Sequence, residues 1–158
     1  MTYNILRLLF VTLFSLLIGC QNTKLKAQET MEHSEEYWKS KLNEEEYYVL
    51  REKGTERPHS GKYNDFYKDG SYYCAACNQK LFESVTKFDA HCGWPSFDQA
   101  IKGSVEYIED KSFGMSRTEV VCSNCKSHLG HVFNDGPTDT TGMRYCMNSI
   151  SLKFKDSE

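Results

Sequence analysis

The sequence predicts a mainly β domain that opens with two short helices. Two observations carry this fold class. Helix-capping residues and apolar side chains at helical spacing come first, and from Tyr72 onward aromatic and β-branched segments alternate with Gly, Asn, Asp and Pro turns. The chain has no internal repeats and no low-complexity tracts. We therefore interpret residues 70–155 as a small antiparallel β-domain with the helices packed outside it.

The first predicted element is an N-terminal leader. Residues 1–19 contain a single charge, Arg7, and an apolar run that ends in Gly19 and Cys20. A basic N-terminal region, an apolar segment of this length and a small residue at the cleavage site are typical of a secretory signal peptide. Residues 17–20 also resemble the bacterial lipobox, in which the cysteine is lipidated and becomes the mature N-terminus. An uncleaved anchor and a soluble exported protein are the alternatives.

This leader predicts where the protein is found. We expect a signal peptide at residues 1–19, a flexible polar tether at 20–33 and the folded domain at 34–158. With lipid on Cys20, the protein would be a membrane-anchored lipoprotein of the bacterial cell envelope, facing the periplasm or the cell surface.

Length and charge limit the classes of function. The 158 residues suffice for one compact domain plus the leader. With 19 Lys and Arg against 22 Asp and Glu, the net charge is −3, and removal of Arg7 with the leader makes it −4. A mildly acidic domain without a basic stripe is a poor candidate for binding nucleic acid, so we expect no such partner.

Two short helices are predicted at the start of the folded domain. Ser34 precedes two glutamates, and Trp38 and Leu42 follow at helical spacing. Asn43, followed by three glutamates, has the pattern of an N-cap with a capping box. The second helix is expected to end with its basic residues shortly before Gly54.

The seven cysteines separate by their spacing. Cys74 with Cys77 and Cys122 with Cys125 form two Cys-x-x-Cys pairs on either side of a β-rich segment. Two such pairs supply four sulfur ligands for tetrahedral zinc at about 2.3 Å. A disulfide within each pair is the alternative in an exported protein, but it would close too short a loop to stabilise much. We predict one structural Zn²⁺ ion.

The remaining cysteines of the domain are Cys92 and Cys146. Strands are predicted at residues 71–73, 105–108, 118–121 and 143–154. Alternation in the last strand places Arg144, Cys146 and Asn148 on the same face as three apolar core residues. An arginine two residues away favours the thiolate, which is the nucleophilic form of cysteine. A small buried hydrophobic residue is the other interpretation of Cys146, and spacing alone does not decide.

Two further segments are dense in aromatic or imidazole side chains. Cys92 is followed by Trp94 and a rigid proline, and His128 and His131 lie just beyond the second cysteine pair. The histidines are interpreted as support for the metal site or as acid catalysts. Metal ligation is a further alternative, although four thiolates already fill a structural zinc site.

Taken in order, these segments resemble the B-type peptide-methionine sulfoxide reductases, the MsrB family. The resemblance runs from about residue 35 to residue 154, which is essentially the whole folded domain. It rests on the first cysteine pair and on three long motifs. They are Cys92-Gly-Trp-Pro-Ser-Phe97, Gly114-Met115-x-Arg117-x-Glu119-Val120-x-Cys122-x-x-Cys125-x-x-His128-Leu-Gly-His131-Val-Phe133-x-Asp135-Gly-Pro137 and Arg144-Tyr-Cys146-x-Asn148-Ser149.

The resemblance implies a fold of two antiparallel sheets and reduction of the R epimer of methionine sulfoxide, with protein-bound methionine preferred. It gives Cys146 the catalytic role, Cys92 the resolving role and the four paired cysteines the zinc ion. It also implies a substrate pocket in which Trp94 receives the methyl group. The other residues of that pocket are His128, His131, Phe133, Arg144 and Asn148.

The implied chemistry begins with protonation of the sulfoxide oxygen by His131, helped by His128 and Asn148. Attack by Cys146 leaves a sulfenic acid, which Cys92 resolves as a disulfide. An external dithiol then resets the enzyme. The expected partners of this monomer are oxidised proteins, a membrane, and thioredoxin or an envelope thioredoxin-like reductant.

Two other functions share some of these residues. One is a non-catalytic, zinc-containing β-module that binds a protein partner. The other is a general thiol–disulfide oxidoreductase, which would place its active pair in a Cys-x-x-Cys.

Overall fold

The structure is a computed structural model that describes residues 33–157. The predicted signal segment, the predicted lipidation site at Cys20 and all but the last residue of the predicted tether lie outside the described residues. Within residues 33–157, no helix is both long enough and apolar enough to span a membrane.

Two short helices open the described chain, as predicted. α1 spans Glu35–Lys41 and α2 spans Glu44–Leu50. Ser34 caps α1 by accepting a backbone N–H of the first turn at 3.3 Å. Asn43 and Glu46 form the predicted capping box of α2, through hydrogen bonds of 2.8 and 3.0 Å. Helices of seven residues are too short to be stable alone, so packing must hold them in place.

Arg51, directly after α2, attaches the helices to the rest of the domain. Its guanidinium lies over the ring of the buried Trp38 and forms a 2.6 Å ion pair with Glu35. The same group donates to the backbone carbonyl of Cys125 at 3.0 Å. This residue, predicted only as a favourable charge at a helix end, therefore joins both helices to the second cysteine pair.

Nine strands follow in the described residues. Their bounds are β1 Gly70–Cys74, β2 Lys80–Glu83, β3 Lys87–Phe88, β4 Ser96–Phe97, β5 Val105–Asp110, β6 Arg117–Cys122, β7 His128–Phe133, β8 Arg144–Met147 and β9 Leu152–Asp156. They form a three-stranded sheet in the order β2-β1-β9 and a six-stranded sheet in the order β3-β4-β8-β7-β6-β5. All pairings are antiparallel, so the predicted fold class of two antiparallel sheets is confirmed.

The core brings the two sheets together through aromatic side chains. Phe82 of β2 stacks on Phe97 of β4 with ring centroids 4.4 Å apart, and Tyr72 of β1 meets Phe97 edge to face at 4.9 Å. All three rings are fully buried. Aromatic pairs of this kind contribute about 0.5–1.5 kcal/mol beyond their buried area.

The prediction of one continuous final strand from residue 143 to 154 is wrong. β8 ends at Met147, a single 3₁₀ turn spans Ser149–Ser151, and β9 then belongs to the other sheet. The turn is held from outside, because the carboxylate of Glu56 accepts the backbone N–H groups of Ser149 and Ile150 at 2.5 and 3.1 Å. The face predicted for the long strand is therefore divided between the two sheets. Arg144 and Cys146 lie in β8 of the six-stranded sheet and Asn148 directly follows it, whereas Leu152 and Phe154 lie in β9 of the three-stranded sheet.

Candidate active site and zinc site

The four paired cysteines converge on one point. The sulfurs of Cys74, Cys77, Cys122 and Cys125 all lie within 4.8 Å of one another. Sulfurs of different pairs approach to 3.7 Å and 3.6 Å, as a shared ion requires and separate disulfides do not. Ligands about 2.3 Å from a tetrahedral zinc ion are about 3.8 Å apart, so the four sulfurs fit one ion. They form the structural zinc site.

The same backbone turn presents each pair. Asn78 and Lys126, the residues after each second cysteine, have φ values of 62° and 59°. Their N–H groups bond back to the carbonyls of Cys74 and Cys122 at 2.9 Å. One turn follows β1 in the three-stranded sheet and the other follows β6 in the six-stranded sheet. The zinc site therefore ties the two sheets together.

The candidate catalytic residues lie on a cross-strand ladder of the six-stranded sheet. Cys146 of β8 pairs with His131 of β7 on one side and with Ser96 of β4 on the other. His131 in turn pairs with Glu119 of β6. Directly paired residues of antiparallel strands point to the same face, with Cβ atoms about 4.5–5.5 Å apart. The sheet register therefore brings together a thiol and an imidazole that are 15 positions apart in the sequence.

Gly130 allows β7 and β8 to approach closely at this point. A Cβ added to Gly130 would collide with the carbonyl oxygen of Cys146. Glycine between the two histidines of β7 is thus a requirement of the packing beside the thiol, and a larger residue would push β8 away.

The two cysteines outside the zinc site form a thiol pair. The sulfur of Cys92 lies 3.7 Å from that of Cys146, and also close to the hydroxyl of Ser96 at 3.4 Å. Hydrogen bonding from the Cys146 thiol lowers the pKa of Cys92 to about 5. The same contact, together with burial, raises the pKa of Cys146 well above its ordinary value. The pair therefore shares one proton.

Arg144 favours the thiolate of Cys146, as predicted, but two other effects oppose it. Arg144 does lower the pKa of Cys146, but Cys92 and burial outweigh it. The guanidinium is already paired with both carboxylate oxygens of Asp135, at 2.8 and 2.9 Å, and it stacks over the ring of Phe133 at 4.4 Å. The hydrogen bond from Cys146 favours the thiolate on Cys92.

A cavity of about 130 Å³ opens onto the Cys146 side of the pair. Five of its lining residues were predicted from the sequence: Trp94, His131, Phe133, Cys146 and Asn148. Thr55 and Arg117 also line it and were not predicted, together with Gly130 and Met147. Arg144, which the resemblance also placed in this pocket, does not line it and only stacks on the ring of Phe133. The volume suits a single side chain.

His131 is held by a carboxylate that sequence reasoning missed. Its Nε2 lies 2.8 Å from Oδ2 of Asp110, and Arg117 donates to the same oxygen at 2.6 Å. Burial lowers the pKa of His131, and the bond to Asp110 partly restores it. Asp110 itself has a lowered pKa because Ser112, His131 and Arg117 all donate to it. It therefore remains a carboxylate that stabilises the imidazolium.

His128 occupies a different environment from His131. Its Nδ1 lies 2.8 Å from the buried carboxylate of Glu119, which also accepts from Lys53 at 2.7 Å. In the part of the chain that the structure describes, its Nε2 is buried without a hydrogen-bond partner. The ring centroids of His128 and His131 are 5.5 Å apart. His128 thus lies behind His131 and is not among the residues that line the cavity.

Glu56 is a further residue that sequence reasoning missed. Its carbonyl accepts the indole N–H of Trp94 at 3.2 Å, and its N–H donates to the side chain of Asn148 at 3.1 Å. Its carboxylate binds the turn after Asn148, and burial raises its pKa. One residue therefore binds two of the residues that line the cavity.

Comparison with known proteins places the whole described domain in one group. Residues 42–156 match the SelR domain. Three similar proteins carry the name peptide methionine sulfoxide reductase MsrB. The protein of Chromohalobacter salexigens is 53% identical over 131 residues, covering 82% of this chain and 98% of its own. Those of Methanosarcina barkeri and Variovorax paradoxus are 56% and 55% identical, covering 84% and 79% of this chain and 93% and 96% of their own.

Proposed function

The chain belongs to the SelR-domain family and is a peptide methionine sulfoxide reductase, and on this basis we propose that it reduces the R epimer of protein-bound methionine sulfoxide with Cys146 as nucleophile and Cys92 as resolving thiol. One observation carries the assignment of roles. Cys146 lines the cavity with Trp94 and His131, whereas Cys92 does not, and the two sulfurs lie 3.7 Å apart. Only the cysteine that lines the cavity can meet a side chain seated there.

The reaction requires two proton movements. The proton of Cys146 passes to the neighbouring Cys92 thiolate, and His131, as imidazolium, protonates the sulfoxide oxygen. The Cys146 thiolate attacks the sulfur of the protonated sulfoxide. The hydroxyl group then passes from that sulfur to the Cys146 sulfur, the bonds from the methionine sulfur to oxygen and to Cys146 break, and methionine leaves with two more electrons. Cys146 is left as a sulfenic acid, whose sulfur has lost two electrons.

Resolution follows at the same pair. The Cys92 sulfur attacks the sulfenic sulfur of Cys146, the S–O bond breaks, and the hydroxyl leaves as water with the thiol proton. A dithiol of the thioredoxin type then reduces the disulfide by thiol–disulfide exchange. Cys92 is only partly buried, which supports this second half, because an external thiolate must reach one of the two sulfurs.

Selection of one epimer follows from three fixed directions in the cavity. The sulfoxide sulfur must face Cys146, the oxygen must face His131, and the methyl group packs against Trp94. Fixing these groups and the exit of the peptide chain admits one configuration at sulfur. The likeness of these residues to the B-type motifs supports the R configuration.

The test uses two peptides of one sequence, each with a single methionine sulfoxide of R or S configuration, and dithiothreitol as reductant. We expect turnover of the R peptide alone. Cys146→Ser should abolish it. Cys92→Ser is the matched control, because dithiothreitol can reduce the sulfenic acid directly and turnover should persist. Equal turnover of both epimers, or activity in Cys146→Ser, would overturn this proposal.

The enzyme acts at the cell envelope as a monomer on a lipid anchor. The apolar run before Gly19 and Cys20 supports this location. Cells supplied with a labelled fatty acid should label the wild type and Cys92→Ser but not Cys20→Ser. Two results would show that the proposed location is wrong. One is that Cys20→Ser still carries the labelled fatty acid, and the other is that the wild-type protein is unlabelled and found in the cytosolic fraction.

A further inference from the structure

An exposed apolar surface borders the candidate active site. Ile108 of β5 is 43% exposed, and Phe113 and Met115, in the connection from β5 to β6, are 91% and 46% exposed. We call these three residues the apolar rim. A phenylalanine that is almost completely exposed leaves a large apolar area in water, which is unfavourable unless the surface has a use.

The apolar rim is attached directly to the acid of the site. Ser112, next to Phe113, donates its N–H to Asp110 at 2.9 Å, and its hydroxyl accepts from Arg117 at 3.2 Å. Arg117 lines the cavity, and Asp110 holds His131. The turn that carries Phe113 therefore begins at the cavity wall.

The sheet register places the other end of the rim on the catalytic face. Ile108 pairs with Glu119, which pairs with His131, which pairs with Cys146. All four side chains point to one face of the sheet. Ile108 is thus in line with the nucleophile, about three strand spacings of about 4.8 Å away.

The backbone holds Phe113 outward. Phe113 has φ 54° and Gly114 has φ 72°, and the turn closes through a 3.1 Å bond from the N–H of Met115 to the carbonyl of Ser112. A non-glycine residue in the left-handed region is uncommon. The turn therefore presents the ring to solvent beside the cavity instead of folding it onto the sheet.

We propose that the apolar rim binds apolar residues next to the oxidised methionine in an extended segment of the substrate protein. This inference rests on the proposed function and names the substrate class within it. A cavity of about 130 Å³ takes only the sulfoxide side chain, so the neighbouring residues must lie across its border. An extended chain advances about 3.3 Å per residue, which brings residues two to four positions away over the rim.

The position of β5 favours an extended occupant. β5 is an edge strand of the six-stranded sheet, and its residues Glu106 to Glu109 are exposed. An edge strand offers a row of backbone N–H and C=O groups to a further strand. A flexible segment can adopt that conformation, whereas a methionine inside a folded helix cannot.

The test compares three substrates that contain the R-sulfoxide. They are N-acetyl-methionine sulfoxide amide and two peptides of equal length and charge, one with leucine and phenylalanine two to four positions from the sulfoxide and one with serine there. We expect the wild type to show a kcat/KM about tenfold higher for the apolar peptide, a factor that burial of about one apolar side chain supplies.

The variant Phe113→Ser/Met115→Ser should lose this preference and keep its activity on the acetylated amide. Both residues are exposed, so folding should be unaffected. Val85→Ser is the matched control, because Val85 is 88% exposed on a different turn. Equal kcat/KM for both peptides in the wild type, or a preference that survives in the rim variant, would overturn the inference alone. A wild type without activity on the amide would overturn the proposed function as well.

Discussion

The sulfur of Cys146 lies 3.7 Å from the sulfur of Cys92, although 53 residues separate the two in the sequence. A disulfide requires about 2.05 Å, so the sulfurs need to approach by less than about 2 Å. Side-chain rotation can supply this movement without any displacement of β8. The same short distance allows the hydrogen bond that shifts the pKa values of the two thiols, and it places Cys92 close enough to attack the sulfenic acid on Cys146.

From this geometry we expect Cys92→Ser to stop after one turnover with a thioredoxin-type reductant. The variant should form about one equivalent of methionine per enzyme and retain a sulfenic acid on Cys146, because no second thiol condenses with it. Methionine release and trapping of the sulfenic acid by a dimedone-type reagent measure both products. Cys146→Ser, as control, should release none. Continued turnover of Cys92→Ser at the wild-type rate would mean that another thiol resolves the intermediate.

A second prediction concerns the pH dependence of the chemical step. The imidazolium of His131 is the active form, and burial lowers the pKa of this group. The single-turnover rate should therefore fall as the pH rises through the pKa of His131, and it should also fall below about pH 5, where Cys92 becomes protonated and can no longer accept the proton of Cys146. The substitution His131→Gln should reduce the single-turnover rate by about 10²–10⁴-fold, which is the usual contribution of a general acid.

The substitution Asp110→Asn tests whether the carboxylate of Asp110 supports His131 as the general acid. The carboxylate favours the imidazolium, so its loss lowers the pKa of His131 further and moves the falling limb to lower pH. Single-turnover rates measured across the range in which histidine titrates will show the shift. Glu109→Gln is the matched control, because the side chain of Glu109 is exposed and, among the described residues, forms an ion pair only with Lys111. An unchanged limb in Asp110→Asn would remove Asp110 from the mechanism.

The chemistry-bearing residues were predictable where they lie close together in the sequence. The cysteine pairs, the segment after Cys92 and the pair Arg144 and Cys146 each carry their own spacing signal. Asp110 carries none, because it acts on His131 through the pairing of β5, β6 and β7. Glu119 lies in a family motif, but its spacing does not show that it binds His128. The register between β6 and β7 shifts at Val120 and Val121, a bulge that alternation in either strand does not reveal.

Glu56 shows the same limit over a longer range. It lies 92 positions from Asn148, and its surroundings have the composition of an ordinary polar loop. Its burial and its hydrogen bonds to four residues follow from how the loop after α2 crosses the end of β8. The same contacts break the predicted long strand, so both errors have one cause.

Glu56→Gln should separate positioning from folding. The amide keeps only one acceptor oxygen and turns a donor toward the N–H of Ser149 or Ile150, so the turn that follows Asn148 should move. We expect kcat/KM to fall by about tenfold or more, since misplacement of about 1 Å can cost 10²-fold. A change in tryptophan fluorescence should accompany it, because Trp94 is bound to the Glu56 carbonyl.

The control for this variant is Glu52→Gln, an exposed carboxylate near the same helix. It should leave both readouts unchanged. A lowered melting temperature in Glu56→Gln with unaltered kcat/KM and fluorescence would mean that Glu56 only stabilises the fold.

The last prediction concerns the zinc site, which joins turns from different sheets. Cys77→Ser should lose zinc and stability together, because binding of a structural metal is coupled to folding. Loss of several kcal/mol would lower Tm by more than about 10 °C, at about 4 °C or more per kcal/mol for a domain of this size. Metal content measures the first effect and thermal unfolding the second. Cys92→Ser, which removes a thiol outside the site, should retain one zinc ion per chain and a wild-type Tm. A Cys77→Ser protein with unchanged Tm would show that the two sheets are held by their aromatic core alone.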